Sequence, residues 1–378
     1  MPNLRAAVTV AFALNGFLFG SLMARVPAIK ADLGLGEGEL GLALLCSSLG
    51  LVVSQPLAGA AAARFGSRPV AAVGVCLYGG LLATPALVPG LGWLMAAFAA
   101  LGLGSGFLDV AMNAQGVQAE HRHERAIFSS FHAAFSFGAM AGAGVAGVAA
   151  ALGVAPSAHL AVVGATAVAV GLAATARMLP AHVDARAAGR LFARPTGVLV
   201  AFAAIGFFAL LVEGSASDWS AVLLAEWRDA SQGVAAAGLA AFSAAMGFGR
   251  LAGDPLRERL GPIRLIRAGA ACALAGALAV VLPLPPALTI AGFVVVGLGV
   301  ASIFPLAVLL AGAAPAPAIA VVSGTGYAGL LAGPAIIGGL AELSTLPAAL
   351  CTTALASAAI AALAGVAGAR LQGANVGG

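Results

Sequence analysis

The sequence contains very few charged residues. Of its 378 residues only 8% are Asp, Glu, Lys or Arg, 61% are hydrophobic, and the mean hydropathy is +1.05. A water-soluble globular protein usually carries about 25% charged residues, so this chain has too little charge to cover a soluble surface. The composition therefore predicts an integral membrane protein, and its long apolar runs predict helices and not a β-barrel.

Several chemical motifs are also absent. The four cysteines, Cys46, Cys76, Cys272 and Cys351, stand singly in apolar runs, so no pair has metal-site or redox spacing. There is no phosphate-binding loop to indicate ATP as the energy source, no nucleophile constellation and no glycosidase-like pair of carboxylates. The basic residues form no stripe of the kind that binds nucleic acid. We therefore expect no enzyme activity, no cofactor, no metal and no nucleic-acid partner.

Apolar runs long enough to cross a membrane fill most of the chain. Polar or turn-rich breaks separate twelve of them, and each is long enough to span about 30 Å at about 1.5 Å per residue. The first run follows Arg5 but is too long for the apolar part of a cleaved signal peptide. The predicted spans lie near residues 6–26, 39–62, 69–89, 92–116, 127–151, 157–178, 196–216, 233–253, 263–283, 286–312, 317–341 and 345–369.

Basic residues are distributed unevenly among the predicted loops and helix ends. One side of the membrane holds only Arg25, Lys30 and Arg228, whereas arginines are abundant on the side of the N-terminus. Cytoplasmic loops carry an excess of Lys and Arg, so both termini are predicted to be cytoplasmic. We expect a monomeric multi-pass protein in a bacterial inner membrane.

Two stretches of similar character occupy the same place in the two halves of the chain. GAAAARFGSRPV (59–70) follows the second span, and GRLAGDPLRERLGPIRLIR (249–267) follows the eighth. A basic, glycine-punctuated turn repeated in this way is typical of a two-fold transporter with its site between the halves. The sequence therefore predicts an all-α membrane fold of two pseudo-symmetric six-helix bundles, 1–178 and 196–378, joined by a cytoplasmic linker at 179–195.

This arrangement resembles the major facilitator superfamily along the whole chain. The second stretch matches the cytoplasmic signature of that family well, and the first stretch keeps part of it but has alanines where an acid is usual. In the family, the acid and the arginines hold the cytoplasmic helix ends closed in the outward-facing state. The alternative is that these arginines only set the topology. The resemblance implies a cytoplasmic gate formed by Gly249, Arg250, Asp254, Arg257, Arg259 and Gly261, with Arg64, Gly66 and Arg68 as the partial first copy.

Three shorter stretches resemble the branch of the superfamily that contains the fucose–proton symporter and its uncharacterised bacterial relatives. They are LDVAMN in the fourth span, FHAAFSFGA in the fifth and GVASIFP in the tenth. The chain departs from the symporter at Met23, where the symporter has a second acid before a proline. The resemblance therefore implies proton-coupled transport, without the two-carboxylate mechanism of that symporter.

Asp109 interrupts an apolar, glycine-rich run at membrane depth. A carboxyl group inside the membrane is costly and usually functional, so we interpret Asp109 as a proton-coupling residue. Asn113 lies one helical turn further on the same face. Counting from the helix ends places His132 and Ser136 of the fifth span at the depths of Asn113 and Asp109, so these four groups are predicted to converge. The alternative is that Asp109 is a structural hydrogen-bonding group that holds the two spans together.

Three further residues are candidate ligands in a substrate cavity. Asn15 lies near the middle of the first span, where an amide is a plausible cavity ligand. Phe304 in the tenth span is a candidate for stacking on a sugar, and Tyr327 lies in the glycine-rich eleventh span. For Phe304 and Tyr327 packing within the helix bundle is the alternative role.

Other polar residues receive less functional weight. Glu213 is predicted near the outer end of the seventh span, and Glu342 ends the eleventh span and is expected to be solvated. Arg25 is expected to reach the membrane interface as readily as to bind a substrate. Gln115 lies two residues from Asn113 and points elsewhere, so it is predicted to serve packing.

The sequence as a whole predicts a secondary active transporter. Such a protein would move a small polar solute, such as a sugar or polyol, by alternating access with proton coupling. The alternatives are a proton-driven exporter of drugs or metabolites and a membrane sensor that binds a solute without moving it. The polar cavity candidates favour a hydrophilic solute, because the seven methionines are scattered and form no apolar cluster. The expected partners are the solute, protons and the lipid bilayer.

Overall fold

The computed structural model describes residues 2–123, 127–180, 197–311 and 317–376. Helices make up nearly all of this part of the chain, and twelve segments are long and apolar enough to cross a membrane. The predicted number of spans is therefore confirmed. Nearly all of the predicted linker lies outside the described residues, as do Arg125 and the arginines of that linker.

The first half of the chain contains the helices of spans one to six. The first span is interrupted at Ala24 and Arg25, and a short 3-10 turn at Thr84–Ala86 extends the third span. The helices are α1 (Pro2–Met23), α2 (Val26–Leu33), α3 (Glu37–Phe65), α4 (Ser67–Gly80), α5 (Leu91–His123), α6 (Phe128–Ala151) and α7 (Pro156–Thr175).

The second half contains the helices of spans seven to twelve. The tenth span is interrupted at Ala301 and Ser302, and the twelfth begins with one separate helical turn. The helices are α8 (Gly197–Trp227), α9 (Gln232–Leu260), α10 (Pro262–Val281), α11 (Pro286–Val300), α12 (Ile303–Ala311), α13 (Pro317–Leu343), α14 (Leu346–Ala349) and α15 (Cys351–Val376).

Several helices extend beyond the predicted spans. The seventh span was predicted to end at residue 216, but α8 continues to Trp227, so Glu213 lies in the helix interior and not near its outer end. Likewise α9 continues to Leu260, and Asp254 and Arg257 therefore lie in its last turns instead of a loop. These two placements were wrong because hydropathy falls where polar residues begin, whereas helical hydrogen bonding continues through them.

A single glycine joins α3 to α4, and another joins α9 to α10. Gly66 has φ 86° and ψ 158°, and Gly261 has φ 76° and ψ 156°. The Gly66 amide donates to the Ala62 carbonyl and the Gly261 amide to the Arg257 carbonyl. This backbone region is essentially restricted to glycine. The two predicted turns thus share one backbone geometry. Any residue other than glycine would be strained at this position.

Small residues allow the backbones of paired spans to come into direct contact. A Cβ at Gly16 or Gly20 of α1 would collide with backbone atoms of α6, and a Cβ at Gly138 or Gly142 of α6 would collide with α1. Close approach through small residues is a usual way to associate helices in lipid, where burial of apolar surface gives little driving force. Large apolar side chains such as Leu152, Val162 and Leu355 are left exposed for contact with lipid.

The two halves of the chain contact each other along two seams, α3 against α13 and α6 against α9. Because twelve spans are an even number, α1 begins and α15 ends at the same side of the bundle, which we call the termini side. On the opposite side the seams are tight. A Cβ at Gly41 would lie 3.0 Å from the Gly338 Cα, and a Cβ at Gly147 would lie 3.1 Å from the Gly233 carbonyl oxygen.

The termini side of the α3–α13 seam is open by comparison. Gly59 of α3 and Gly324 of α13 have no neighbouring atom within 4 Å of an added Cβ. Since the same two helices touch at Gly41 and Gly338, they diverge toward the termini side. The α3–α13 seam is therefore closed on the opposite side and open on the termini side.

Candidate functional site

Asp109 lies in α5 beside two amide side chains. The Asn113 Nδ2 donates hydrogen bonds to the Asp109 backbone oxygen at 2.8 Å and to its Oδ1 at 3.1 Å. The Gln55 amide of α3 lies beside the same carboxyl group. Its Nε2 is buried and makes no hydrogen bond within the described part of the chain. Asp109 and Asn113 therefore share one face of α5, as predicted. No cation forms an ion pair with Asp109 in the described part of the chain.

Arg250 of α9 forms a second polar centre that links both halves. Its Nη2 donates to the Glu213 Oε1 of α8 at 2.8 Å. Its Nη1 donates to the Ser136 Oγ at 2.7 Å and to the His132 backbone oxygen at 3.3 Å, both on α6. The Arg250 and Glu213 side chains are 14% and 21% exposed, so this ion pair is largely removed from water.

Tyr327 of α13 is near a carboxyl group of each polar centre. The Asp109 and Glu213 carboxyl groups are both close enough to act electrostatically on its hydroxyl group. The Phe304 ring of α12 meets the Tyr327 ring edge to face, with the ring centroids 6.4 Å apart. The predicted cavity residues Tyr327 and Phe304 thus lie together, and Tyr327 marks the position where a carboxyl group from each half approaches α13.

Among the described residues, no hydrogen bond joins Asp109 or Asn113 of the fourth span to His132 or Ser136 of the fifth, so the predicted convergence of these four groups stays a prediction. Helix α1 packs against both α5 and α6, which touch each other only slightly. The His132 ring contacts the rings of Phe12 and Phe128 edge to face, at 5.2 and 5.1 Å between centroids. Ser136 is bound to Arg250 and not to Asp109. Counting residues gave depth along the membrane but not the order of the helices around the bundle.

The predicted cavity ligand Asn15 is buried instead between α1 and α5. Its side chain is only 4% exposed. Its Nδ2 contacts the Met112 Sδ at 3.8 Å, and its Oδ1 accepts a hydrogen bond from the Ser105 Oγ at 3.4 Å. Asn15 therefore holds two helices of the first half together in this state.

The residues of the predicted gate do not form one cluster in this structure. Arg250 turns toward Glu213, and Asp254 pairs with Arg257 at 3.4 Å one turn along the same helix. The side chains of Arg257 and Asp254 are 35% and 52% exposed, and such ion pairs contribute little stability. The Arg64 guanidinium lies 5.1 Å from the centre of the neighbouring Phe65 ring. The two gate residues Arg250 and Asp254 thus have different ion-pair partners, Glu213 and Arg257.

The other signature residues have separate positions. Arg68 borders a pocket formed with α7 in its own half, and among the described residues Arg259 has no hydrogen bond or ion pair. A Cβ at Gly249 would lie 2.6 Å from the Ala301 Cβ, so this glycine permits close packing of α9 on the tenth span. Gly66 and Gly261 form the one-residue turns.

Charged contacts between the halves on the opposite side were not found by sequence reasoning. The Lys30 Nζ lies 2.6 Å from the Glu226 Oε2, and these side chains are 8% and 29% exposed. The Glu342 Oε2 accepts a hydrogen bond at 3.1 Å from the Gly38 amide, in the first turn of α3. Glu342 is thus engaged with the other half and not merely solvated, and no local sequence signal pairs residues so far apart in the chain.

Gln115 has the packing role that the sequence predicts. It is fully buried. Its Nε2 donates to the Ser67 Oγ at 2.7 Å and to the Leu179 backbone oxygen at 3.1 Å, while its Oε1 accepts from the Leu179 amide at 2.9 Å. This side chain ties α5 to the start of α4 and to the segment after α7.

Taken with the helical frame, these contacts define a class of protein. Twelve spans, two seams that are tight on one side, one of which diverges toward the other side, and carboxyl groups from both halves near the centre describe a multi-pass membrane transporter. The family comparison agrees: residues 8–317 match the model of the Major Facilitator Superfamily, and the chain belongs to that superfamily.

Three bacterial proteins resemble this chain along most of its length. An uncharacterised MFS-type transporter of Yersinia pestis is 35% identical over 361 residues, which cover 93% of this chain and 92% of the relative. An uncharacterised transporter of Sinorhizobium fredii is 33% identical over 370 residues, covering 95% and 97%. The membrane protein MosC of Rhizobium meliloti is 28% identical over 353 residues, covering 91% and 85%.

Solved structures share the fold. The nucleoside transporter NupG superposes with a TM-score of 0.73 at 14% identity, covering 97% of this chain and 98% of NupG. A bacterial homologue of the human lysosomal transporter Spinster, in an inward-facing and occupied conformation, superposes with a TM-score of 0.73 at 15% identity, covering 96% of both chains. At this level of identity the likeness concerns the fold alone.

Proposed function

We propose that this transporter moves a small polar solute, such as a sugar or polyol, across the bacterial inner membrane by alternating access, coupled to proton movement through Asp109. The observation that carries the proposal is the position of Asp109, a carboxyl group at membrane depth with amide partners and no cation. In a low-dielectric environment such a group is stable when it is protonated or strongly hydrogen-bonded. Binding and release of one proton is therefore within its chemistry.

The approach of Asp109 to Tyr327 supports its role in alternating access. Asp109 belongs to the first half and Tyr327 to the second, so a change in their separation accompanies any movement of one half relative to the other. A proton on Asp109 removes the charge that Tyr327 experiences. The protonation state of Asp109 thus influences which arrangement of the halves is favoured.

The direction of opening and the domain division belong to the same proposal. With the arginine-rich termini side in the cytoplasm, the present structure is open to the cytoplasm. The two six-helix bundles, 1–178 and 196–378, rock about the central residues and are joined by the linker 179–195. Asp254 of the second half and the signature arginine Arg64 of the first half would then engage each other only when the cytoplasmic side closes.

The polar groups favour a hydrophilic solute over the amphipathic drug of the exporter alternative. Asn113, Gln55 and Tyr327 supply amide and hydroxyl groups around Asp109, which suit solutes with several hydroxyl groups. The likeness of the LDVAMN stretch to the fucose–proton symporter branch supports the same choice. A sensor without transport is the outcome if a solute binds but is never moved.

The test is solute accumulation in proteoliposomes with an imposed pH gradient. Labelled sugars and polyols are screened first, and the best substrate is then measured with Asp109→Asn. We expect this variant to lose gradient-driven accumulation while it keeps part of its solute exchange, because the neutral amide cannot carry a proton.

The matched control is Asp32→Asn, which neutralises an exposed carboxyl group of α2 and should accumulate substrate like the unmodified protein. If Asp109→Asn still accumulates the solute against its gradient, the coupling role of Asp109 is refuted. Inverted vesicles expose the cytoplasmic side of the protein to the medium. If the solute accumulates only in such vesicles, the protein is instead an exporter.

A further inference from the structure

Arg25 is a deeply buried arginine without an acidic partner. It is 3% exposed and lies in the break between α1 and α2. Its Nη2 donates a hydrogen bond to the Val154 carbonyl oxygen, in the connection between α6 and α7. In the described part of the chain Arg25 forms no ion pair, and its buried Nε has no hydrogen-bond partner. A buried charge with so little compensation is costly.

The two other basic residues that the sequence assigns to the opposite side are compensated. The Lys30 Nζ pairs with the Glu226 Oε2 at 2.6 Å. The Arg228 guanidinium donates to three backbone carbonyl oxygens and to the Thr289 hydroxyl group. Arg25 therefore differs from both, because it is as buried as Lys30 but has a single carbonyl group as its acceptor.

The contact with Val154 places the guanidinium at the start of α7. This helix begins at Pro156, and the amides of a first helical turn have no acceptor within their own helix. The N-cap residue Ala155 provides no side-chain oxygen, and the Ser157 and Ala158 amides have no partner among the described residues. The start of a helix carries a partial positive charge and readily binds anions. A guanidinium there increases the need for a negative group.

A buried histidine lies in the same turn. His159 is 6% exposed and is close enough to Arg25 for the two side chains to interact electrostatically. Both ring nitrogens are buried and have no hydrogen-bond partner in the part of the chain that the structure describes. An imidazole carries at least one N–H donor in either protonation state. Guanidinium, amide and imidazole donors are thus gathered at one place without a bound carboxylate.

This place can be reached from the surface of the bundle. Residues 151–155 and Ala158 are exposed, and the Arg25 Nη1, which makes no hydrogen bond among the described residues, is not fully enclosed. Helix α1 has 22 residues and spans about 33 Å, so Arg25 lies near the outer boundary of the membrane. The apolar side chains of Leu152 and Val162 are exposed close by, as expected where lipid headgroups meet the protein.

We propose that Arg25, His159 and the first turn of α7 form a binding site for a phosphate group, carried by a lipid headgroup or free in solution, on the opposite side of the membrane. A guanidinium presents a planar fork that matches two oxygens of a phosphate group, and the free amides of a helix start bind the remaining oxygens. The bound group supplies the counterion that the protein does not provide for Arg25. It also joins α1 to α7, and it is independent of proton coupling.

The test measures thermal stability with defined phosphate probes. The purified protein is heated in an uncharged detergent with inorganic phosphate, phosphatidylglycerol or diacylglycerol, at an ionic strength kept constant with sodium chloride. A ligand that binds only the folded protein raises its unfolding midpoint. We expect inorganic phosphate or phosphatidylglycerol to raise the midpoint by about 3 °C or more, and diacylglycerol, which lacks a phosphate group, to leave it unchanged.

The two phosphate probes distinguish the sources of the ligand. A shift with phosphatidylglycerol alone assigns the site to a lipid headgroup, whereas a shift with inorganic phosphate assigns it to a free anion. If neither probe stabilises the protein, the proposal is overturned.

Substitutions at Arg25 locate the response. Arg25→Gln should abolish the phosphate-dependent shift, and Arg25→Lys should retain less than half of it, because an ammonium group lacks the planar fork. The same two changes at Arg228 alter the charge equally on the same side of the membrane, and these control variants should keep the full shift.

An undiminished shift in Arg25→Gln also overturns the proposal. If Arg25→Gln does not fold, Arg25→Lys decides in the same way. Asp109→Asn should keep the shift, so this proposal and the proposed function are tested separately.

Discussion

Carboxyl groups inside the membrane occur in two different settings in this protein. Asp109 has amide neighbours, which can hydrogen-bond to its carboxyl group whether that group is ionised or protonated. Glu213 is fixed by Arg250, and removal of one member of a buried ion pair leaves the other charge uncompensated. Substitution at Asp109 is therefore expected to change proton movement with little effect on folding, whereas substitution at Glu213 or Arg250 also changes how the helices contact each other.

Gly66 and Gly261 are expected to be the glycines whose replacement is most costly for backbone conformation. We predict that Gly66→Ala and Gly261→Ala each destabilise the protein by about 1–3 kcal/mol, because the alanine Cβ strains a backbone region that only glycine populates freely. The midpoint of thermal unfolding of the purified protein in detergent, followed by tryptophan fluorescence, measures the effect.

Gly59→Ala is the control for this prediction. Gly59 is helical and has open space around it, so alanine there should raise helix stability by about 0.5–1 kcal/mol. Equal midpoints for Gly59→Ala and Gly66→Ala would show that the turn does not require glycine.

The sequence supports some of the candidate site residues and misses others for a physical reason. Asp109 and Asn113 lie in one helix, and their spacing alone fixes a shared face. Gln115 likewise points away from that face and is buried, as predicted. The Arg250–Glu213 pair joins two helices, and its existence depends on how α8 and α9 rotate and how far α8 extends. Helical periodicity contains no information about the order of helices around the bundle, so the hydrogen bond of Arg250 to Ser136 was missed.

At the scale of helices, the opposite side is held closed by two different electrostatic contacts. Lys30 of α2 pairs with Glu226 of α8, and the Glu342 carboxylate binds the amide end of α3. The N-terminal end of a helix carries a partial positive charge, so a carboxylate placed there is stabilised. Both contacts join the two halves and must break before that side opens.

We predict that Lys30→Glu weakens the closed opposite side and that the exchange Lys30→Glu with Glu226→Lys restores it. If the closed state loses about 1–2 kcal/mol of stability relative to the open state, the ratio of closed to open molecules changes by roughly 5–30-fold. Spin labels at Asp32→Cys of α2 and Leu343→Cys of α13, two exposed positions in different halves, report the separation.

Glu342→Gln should produce a smaller shift in the same direction, because the amide oxygen still accepts a hydrogen bond but has no charge to interact with the helix end. If all three proteins give the same distance distribution as the parent, these contacts do not hold the halves together.

At the scale of the whole molecule, the arginine distribution predicts the orientation in the membrane. Asp229 and Glu258 are exposed residues on opposite sides, just before α9 and near its end. In intact cells we expect Asp229→Cys to react with a membrane-impermeant maleimide and Glu258→Cys to react only after the membrane is made permeable, because cytoplasmic sites are protected. The reverse labelling pattern would invert the topology and place the open side of this structure outside the cell.

The overall fold is more accessible to sequence reasoning than the site. Twelve spans follow from run length and hydropathy, and the repeated turn at Gly66 and Gly261 follows from two similar stretches. The state of the transporter does not follow in this way. Whether the opposite side is closed depends on contacts such as Gly41 with Gly338, which lie nearly three hundred residues apart in the chain and have no local signature.

The one-residue turns at Gly66 and Gly261 have a consequence for handling the protein. A connection of one glycine between two helices offers no extended backbone that a protease can bind and no space for an inserted epitope. Antibody tags and cleavage sites placed there should abolish insertion or expression, so biochemical access to the termini side must use other segments. During synthesis, the two helices that flank each turn should also enter the bilayer together, as a tight hairpin.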